Sequence, residues 1–180
     1  MPDRDVKTIK DQIFFQYAKI IAKASLGYTD GTEAKKKAYG FIKNKFRELQ
    51  NGTISWSDIT REDWQFVGSP QECIYCGSHT DLEKEHIVPK SLHINDRCKT
   101  CPTIQGISNQ LRACKKCNTS KSDSGLYAYY KKILPDEKKY FDKLPSLLEK
   151  KYLKTIYNCH ICKGTLDLEK EDINTLDLDL

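Results

Sequence analysis

The sequence predicts an α+β fold: a small strand-and-helix core stapled by a bound metal ion, with helices before and after it. Three observations carry that expectation. Cys73-x2-Cys76 and Cys114-x2-Cys117 have the spacing of paired metal ligands. Residues 6–26 and 32–50 repeat apolar side chains at helical intervals. Between the two cysteine pairs, residues 82–88 form a short strand-like run stopped by Pro89.

The elements follow in order. In residues 6–26, Ile9, Ile13, Tyr17, Ile20 and Ala24 recur at three- and four-residue steps, and Phe14 and Ile21 widen the stripe. Gly27 to Gly31 reads as a turn. A second helix from Thr32 to Gln50 places Ala38, Phe41, Ile42, Phe46 and Leu49 on one face, and Asn51-Gly52 ends it. Thr60-Arg61-Glu62-Asp63 resembles a capping box beside Trp64. These residues make a helical extension over 1–68, closed by Gly68-Ser69-Pro70. The core spans 69–134. Two short strands are expected between Cys73 and Pro89, with Gly77 supplying the tight turn of a metal knuckle. Residues 90–108 read as a long loop with its own pair, Cys98-x2-Cys101. A helix is expected from about Asn118, packed by Leu126, Tyr130, Ile133 and Leu134. Residues 135–180 read as a helical region broken at Pro145, a fourth knuckle at Cys159-x2-Cys162, and an acidic tail.

Composition sets the outer bounds. The chain has 180 residues, 38% apolar and 31% charged. That leaves little surface for a large core and favours a metal staple. No run of about 18 apolar residues is present, so a membrane-spanning helix is not expected. The charged N-terminus lacks the apolar centre of a signal peptide, and a cytoplasmic location is expected. Thiols stay reduced there, so eight cysteines in CxxC pairs point to metal before disulfides. The net charge of +5 is uneven: residues 165–180 hold six acids and one Lys, and the rest holds 29 basic and 19 acidic residues. A body at +10 suits a polyanion such as nucleic acid, although lysines also simply solvate helix faces.

Four thiolates from Cys73, Cys76, Cys114 and Cys117 complete a tetrahedral zinc shell. Glu85-His86 lies between the pairs. Glu85 can give a hard cation an oxygen. His86, with an ordinary pKa of about 6.5, can take a proton from water at neutral pH. Taken alone, that dipeptide is what many ordinary strands carry. Asn118 follows the second knuckle and is either a metal ligand or a helix cap. Lys121 lies three residues on, on the same helical face, where it can meet a phosphate. Asn109, nine residues before Asn118, can orient the His86 imidazole.

Cys73-x2-Cys76…Glu85-His86-Ile87-Val88-Pro89…Asn109…Cys114-x2-Cys117-Asn118-x2-Lys121 resembles the HNH endonuclease family, over about 50 of the 180 residues. The resemblance implies a ββα-metal core with a zinc-bound scaffold at the four cysteines. It implies a general base at His86, oriented by Asn109, and a catalytic Mg2+ or Mn2+ held by Glu85 and Asn118. The Asn109 to Asn118 interval also resembles the HNH domain of CRISPR effector proteins. Many members carry Asp where this chain has Glu85. The implied reaction is phosphodiester hydrolysis leaving 5′-phosphate and 3′-hydroxyl ends.

Cys98, Cys101, Cys159 and Cys162 then remain for a second zinc site. A rival pairing joins Cys73/Cys76 to Cys98/Cys101 as a ribbon, and His79, His93 or His160 can replace a thiolate. Lys115, Lys116, Lys121, Lys131 and Lys132 are candidate DNA-phosphate contacts. Tyr127, Tyr129 and Tyr130 suit core packing better than base stacking. The expected protein is a metal-dependent DNA endonuclease of the restriction or defence kind, acting on double-stranded DNA, with a homodimer needed to cut both strands. Other readings are a non-catalytic zinc-dependent nucleic-acid-binding protein, and an RNA-directed or partner-activated nuclease.

Overall fold

The structure is a computed structural model that describes residues 4–26, 32–55, 71–90, 102–134 and 143–169; of 32–36 only the helical backbone is described. Thr60 to Trp64, Cys98, Cys101, residues 135–142 and residues 170–180 lie outside the described residues. Helix α1 is Ile9–Leu26 and α2 is Thr32–Gln50. Strand β1 is Leu82–His86, followed by a one-turn helix α3, Pro102–Gln105, and a 3-10 turn, Ile107–Asn109. Strand β2 is Gln110–Cys114, running directly into α4, Lys115–Lys121. Helices α5, Leu126–Ile133, and α6, Ser146–Lys163, complete the order. The architecture is α+β, with one two-stranded antiparallel sheet among the described residues.

The chain groups into two compact units: residues 1–56 with 160–176, and residues 57–159 with 177–180. The division differs from the three segments read along the sequence.

In the first unit α1 opens on a reciprocal cap. The Asp11 N–H donates to Thr8 Oγ1 at 3.1 Å, and the Thr8 N–H donates to Asp11 Oδ2 at 3.0 Å. Two of the donors orphaned at any helix start are thereby satisfied. The Gln50 amide donates to Asp11 Oδ1 at 2.7 Å, tying the end of α2 to the start of α1. Ile13 and Phe46 are fully buried, and Phe15 meets Phe46 edge-on. Lys43 pairs with Asp5 and Lys45 with Glu48. After α6 ends, the Ile9 and Lys10 N–H groups donate to the Leu168 and Leu166 carbonyls. The described part of this stretch forms an isolated bridge, Thr8 to Glu169.

In the second unit β1 and β2 pair from Leu82 opposite Cys114 to His86 opposite Gln110. The strand expected over 82–88 is present over Leu82–His86 and stops two residues short of Val88, and its partner is Gln110–Cys114. Residues 73–76 form a turn instead of the anticipated first strand. Leu111 and Ala113 alternate with Gln110 and Arg112, which is the period-2 pattern of a half-covered strand. Helix α4 covers the Leu111 and Ala113 face. Tyr129 and Tyr130 are buried and meet Tyr75 edge-on, while Tyr127 bonds Glu149 at 2.8 Å. The tyrosines therefore serve packing. Helix α6 begins directly after Pro145, and it continues through Cys159 and Cys162 to Lys163. The fourth knuckle expected there is helical, with Cys159 buried and Cys162 exposed.

Candidate functional site

Local chain geometry brings four sulfurs together. The Cys73 N–H donates to the Ser78 carbonyl at 2.7 Å and the Gly77 N–H to the Cys73 carbonyl at 2.8 Å. Gly77 sits at φ 73°, a left-handed conformation that a Cβ would strain, as the knuckle reading requires. The Ile74 N–H donates to the Arg112 carbonyl at 3.1 Å, docking this turn on the outer edge of β2. Cys114 is both the last residue of β2 and the N-cap of α4, so Cys117 falls on the first helical turn. The Lys115 N–H reaches the Asp81 carbonyl at 2.9 Å and fixes the helix start to β1.

The Sγ atoms of Cys73, Cys76, Cys114 and Cys117 all lie within 4.8 Å of one another. Cys76 and Cys114 are 3.7 Å apart. A tetrahedral ion with metal–sulfur bonds of about 2.3 Å needs sulfurs about 3.8 Å apart, so the set fits a thiolate-bound ion such as zinc. Among the described residues, the first knuckle meets the third. Burial opposes the Cys73 thiolate, but backbone hydrogen bonds from Cys114, Cys76 and Tyr75 bring its pKa down to about 7. Burial and the neighbouring Cys114 and Cys76 push Cys117 up to about 12, against a hydrogen bond from Tyr129. Four thiolates this close cannot all ionise unaided, and a bound divalent ion would supply the missing compensation.

Beyond the staple, the strand pleat separates Glu85 from His86. Glu83 and Glu85 turn towards α4, and Lys84 and His86 turn the other way. Lys121 is fully buried, and its Nζ lies 2.8 Å from Glu85 Oε1. The pair meets as an ion pair without hydrogen-bond alignment, and the aligned bond from the ammonium goes to the His86 carbonyl at 3.2 Å. Burial raises the Glu85 pKa and Lys121 opposes it. Lys121 is therefore an internal counter-ion here, turned away from the solvent where a phosphate would lie. The Asn118 amide donates to Glu83 at 3.0 Å. Glu83 was not singled out in the sequence, though standing two residues before Glu85 places it on the same face.

Lys121→Met should strand the Glu85 carboxylate in a buried site. Breaking such a pair costs about 3–5 kcal/mol. The urea midpoint should fall accordingly, and adding Glu85→Gln should recover most of it. An unchanged midpoint in the single variant would show that the pair carries no stability.

His86 is half-buried, and its Nε2 has no solvent contact and no hydrogen-bond partner among the described residues. Burial lowers its pKa, reinforced by the positive charges of Lys90 and Lys121. An orphaned ring nitrogen is costly and rare in a folded core, and it calls for a reason.

Asn109 is fully buried. Its Oδ1 accepts the Val88 N–H at 2.8 Å, and its Nδ2 donates to the Val88 and Ile104 carbonyls at 2.9 Å each. Both amide hydrogens are spent on backbone, leaving none to donate to the imidazole. The expectation that this amide grips the His86 ring is thus replaced by a hold on the chain just after it. The Ile87 N–H to Asn109 carbonyl bond, 2.9 Å, extends the same clamp. Asn109→Ala should lower unfolding free energy by about 3 kcal/mol, since it leaves three buried backbone groups unsatisfied. A loss under about 1 kcal/mol by chemical denaturation would contradict this account.

Lys115, Lys116, Lys131 and Lys132 are exposed, with Lys132 donating to the Ser120 carbonyl at 3.1 Å. Among the described residues no helix is long and apolar enough to cross a membrane. The chain matches no protein-family model, and no curated protein or solved structure matches it significantly.

Proposed function

We propose that this protein is a metal-dependent endonuclease of the HNH type, with zinc in the four-sulfur site, that hydrolyses the backbone of double-stranded DNA. The observation that carries the reading is the state of His86. It ends a strand that lies between the four-cysteine cluster and the Asn109 clamp, next to a buried carboxylate, with an unpartnered Nε2 and a lowered pKa. An imidazole kept neutral and without a partner is fit to accept a proton.

In this reading the His86 imidazole takes a proton from a water that attacks phosphorus, the P–O3′ bond breaks, and the departing O3′ takes a proton from solvent, leaving 5′-phosphate and 3′-hydroxyl ends. Glu85 and Asn118 would hold Mg2+ or Mn2+, which when bound offsets charge growing on the phosphate and on the leaving oxygen. Lys121 holds the Glu85 carboxylate and the His86 carbonyl in register. Asn109 fixes the turn that follows. A protein of this kind acts in restriction or defence, and a homodimer would supply the second cut.

One observation favours the alternative of a non-catalytic zinc-dependent nucleic-acid-binding protein. Lys121 already neutralises Glu85, the carboxylate assigned to the divalent ion. Supercoiled plasmid incubated with Mg2+, Mn2+ or EDTA separates the two. Nicking that requires the divalent ion supports the nuclease, and salt-sensitive binding without nicking supports the alternative.

A further inference from the structure

The open face of the hairpin carries a pairing that sheet energetics disfavours. Lys84 stands directly opposite Arg112 in the register, and both side chains are exposed. The Arg112 carbonyl accepts the Ile74 N–H, so its backbone points away from β1. Lys84 and Arg112 are therefore a non-hydrogen-bonded pair, the kind that brings opposing side chains closest, with Cα atoms about 4.5 Å apart. Like charges in that position are destabilising. Among the described residues no carboxylate pairs with either one. Helix α4 covers the opposite face, through Lys121 at Glu85 and Asn118 at Glu83, so nothing on that side offsets the two cations.

The same face continues to His86, which is opposite Gln110 and again of the close pair type. Two residues along a strand is about 7 Å, close to the step between successive phosphates on one nucleic-acid strand. Lys90 is exposed and near enough for its charge to act on His86. A two-cation seat one phosphate away from the orphaned imidazole gives the otherwise unfavourable pair a purpose.

We propose that Lys84 and Arg112 form a seat for the DNA phosphate adjacent to the one presented to His86. The proposal rests on the endonuclease reading and adds the face along which the backbone runs.

The test uses the full zinc-loaded chain and a fluorescein-labelled duplex in divalent-free buffer, with affinity measured from 50 to 200 mM salt. Replacing both residues, Lys84→Gln with Arg112→Gln, should weaken binding alike for unrelated sequences. It should also flatten the slope of log affinity against log salt by about 2. Lys84→Glu converts the repulsive pair into an attractive one. It should raise Tm by about 1–4 °C while binding falls, with zinc content unchanged. A wild-type slope in the double variant overturns the seat, and so does a lower Tm in Lys84→Glu. Absence of salt-dependent binding by the wild type would instead overturn the endonuclease reading, and the seat with it.

Discussion

Stripping the metal from Cys73, Cys76, Cys114 and Cys117 should abolish cooperative folding of the hairpin and α4. Structural zinc supplies about 10–16 kcal/mol in small thiolate sites, as much as the whole stability of an ordinary domain. The only sheet described here has two strands, too few to stand alone in water. The knuckle at residues 73–76 reaches α4 chiefly through the sulfurs. Chelation, or Cys117→Ser, should remove the thermal transition of this unit, followed by circular dichroism. Cobalt substitution should give the charge-transfer bands of a four-thiolate tetrahedral site. The melt of a chelated protein superimposing on that of the loaded one would rule out a structural ion. Zinc content per chain carries a second answer. One ion confines metal to the site described here, and two supports a further site built from Cys98, Cys101, Cys159 and Cys162.

His86→Ala should lower DNA cleavage by about 10²–10⁴-fold, the usual contribution of a positioned general base. Its effect on affinity, zinc content and melting should be small, because the ring makes no hydrogen bond through Nε2 in the fold. The pH profile adds a signature. A base works when deprotonated, and burial with Lys90 and Lys121 lowers the His86 pKa. Cleavage should therefore rise with pH along an acid limb centred below about 6.5 and then level off. Full activity in His86→Ala would end the assignment, and an acid limb centred well above about 6.5 would point to another base.

Much of this was legible in the sequence, for identifiable reasons. Helices α1 and α2 follow from apolar spacing alone, and α2 ends where Asn51-Gly52 says it should. Metal binding by cysteine pairs follows from CxxC spacing, but which pairs meet does not: Cys98 and Cys101 stand as a rival to Cys114 and Cys117 until the fold brings the latter beside Cys73 and Cys76. Strand β2 was missed although Gln110 to Cys114 alternates, because its partner lies 24 residues upstream and local pattern does not reveal non-local pairing. The capping box at Thr8 and Asp11 is equally readable from its Thr-x-x-Asp spacing. The fourth CxxC was misread as a knuckle because spacing of three suits one helical turn as well as a metal loop. The partners chosen by Asn109 and Lys121 could not be read at all. Each is set by where distant backbone carbonyls fall once the hairpin has closed.

The staple and the clamp also separate architecture from chain length. From Ile87 to Asn109 the connection between β1 and β2 runs for 23 residues, and both its ends are pinned: by the Asn109 bonds to Val88 and by the sulfur cluster beyond β2. For a loop anchored in this way, doubling the length adds only about 0.6 kcal/mol of closure entropy. Changing the length of this segment therefore costs the fold little, and the residues around His86 can stay where they are.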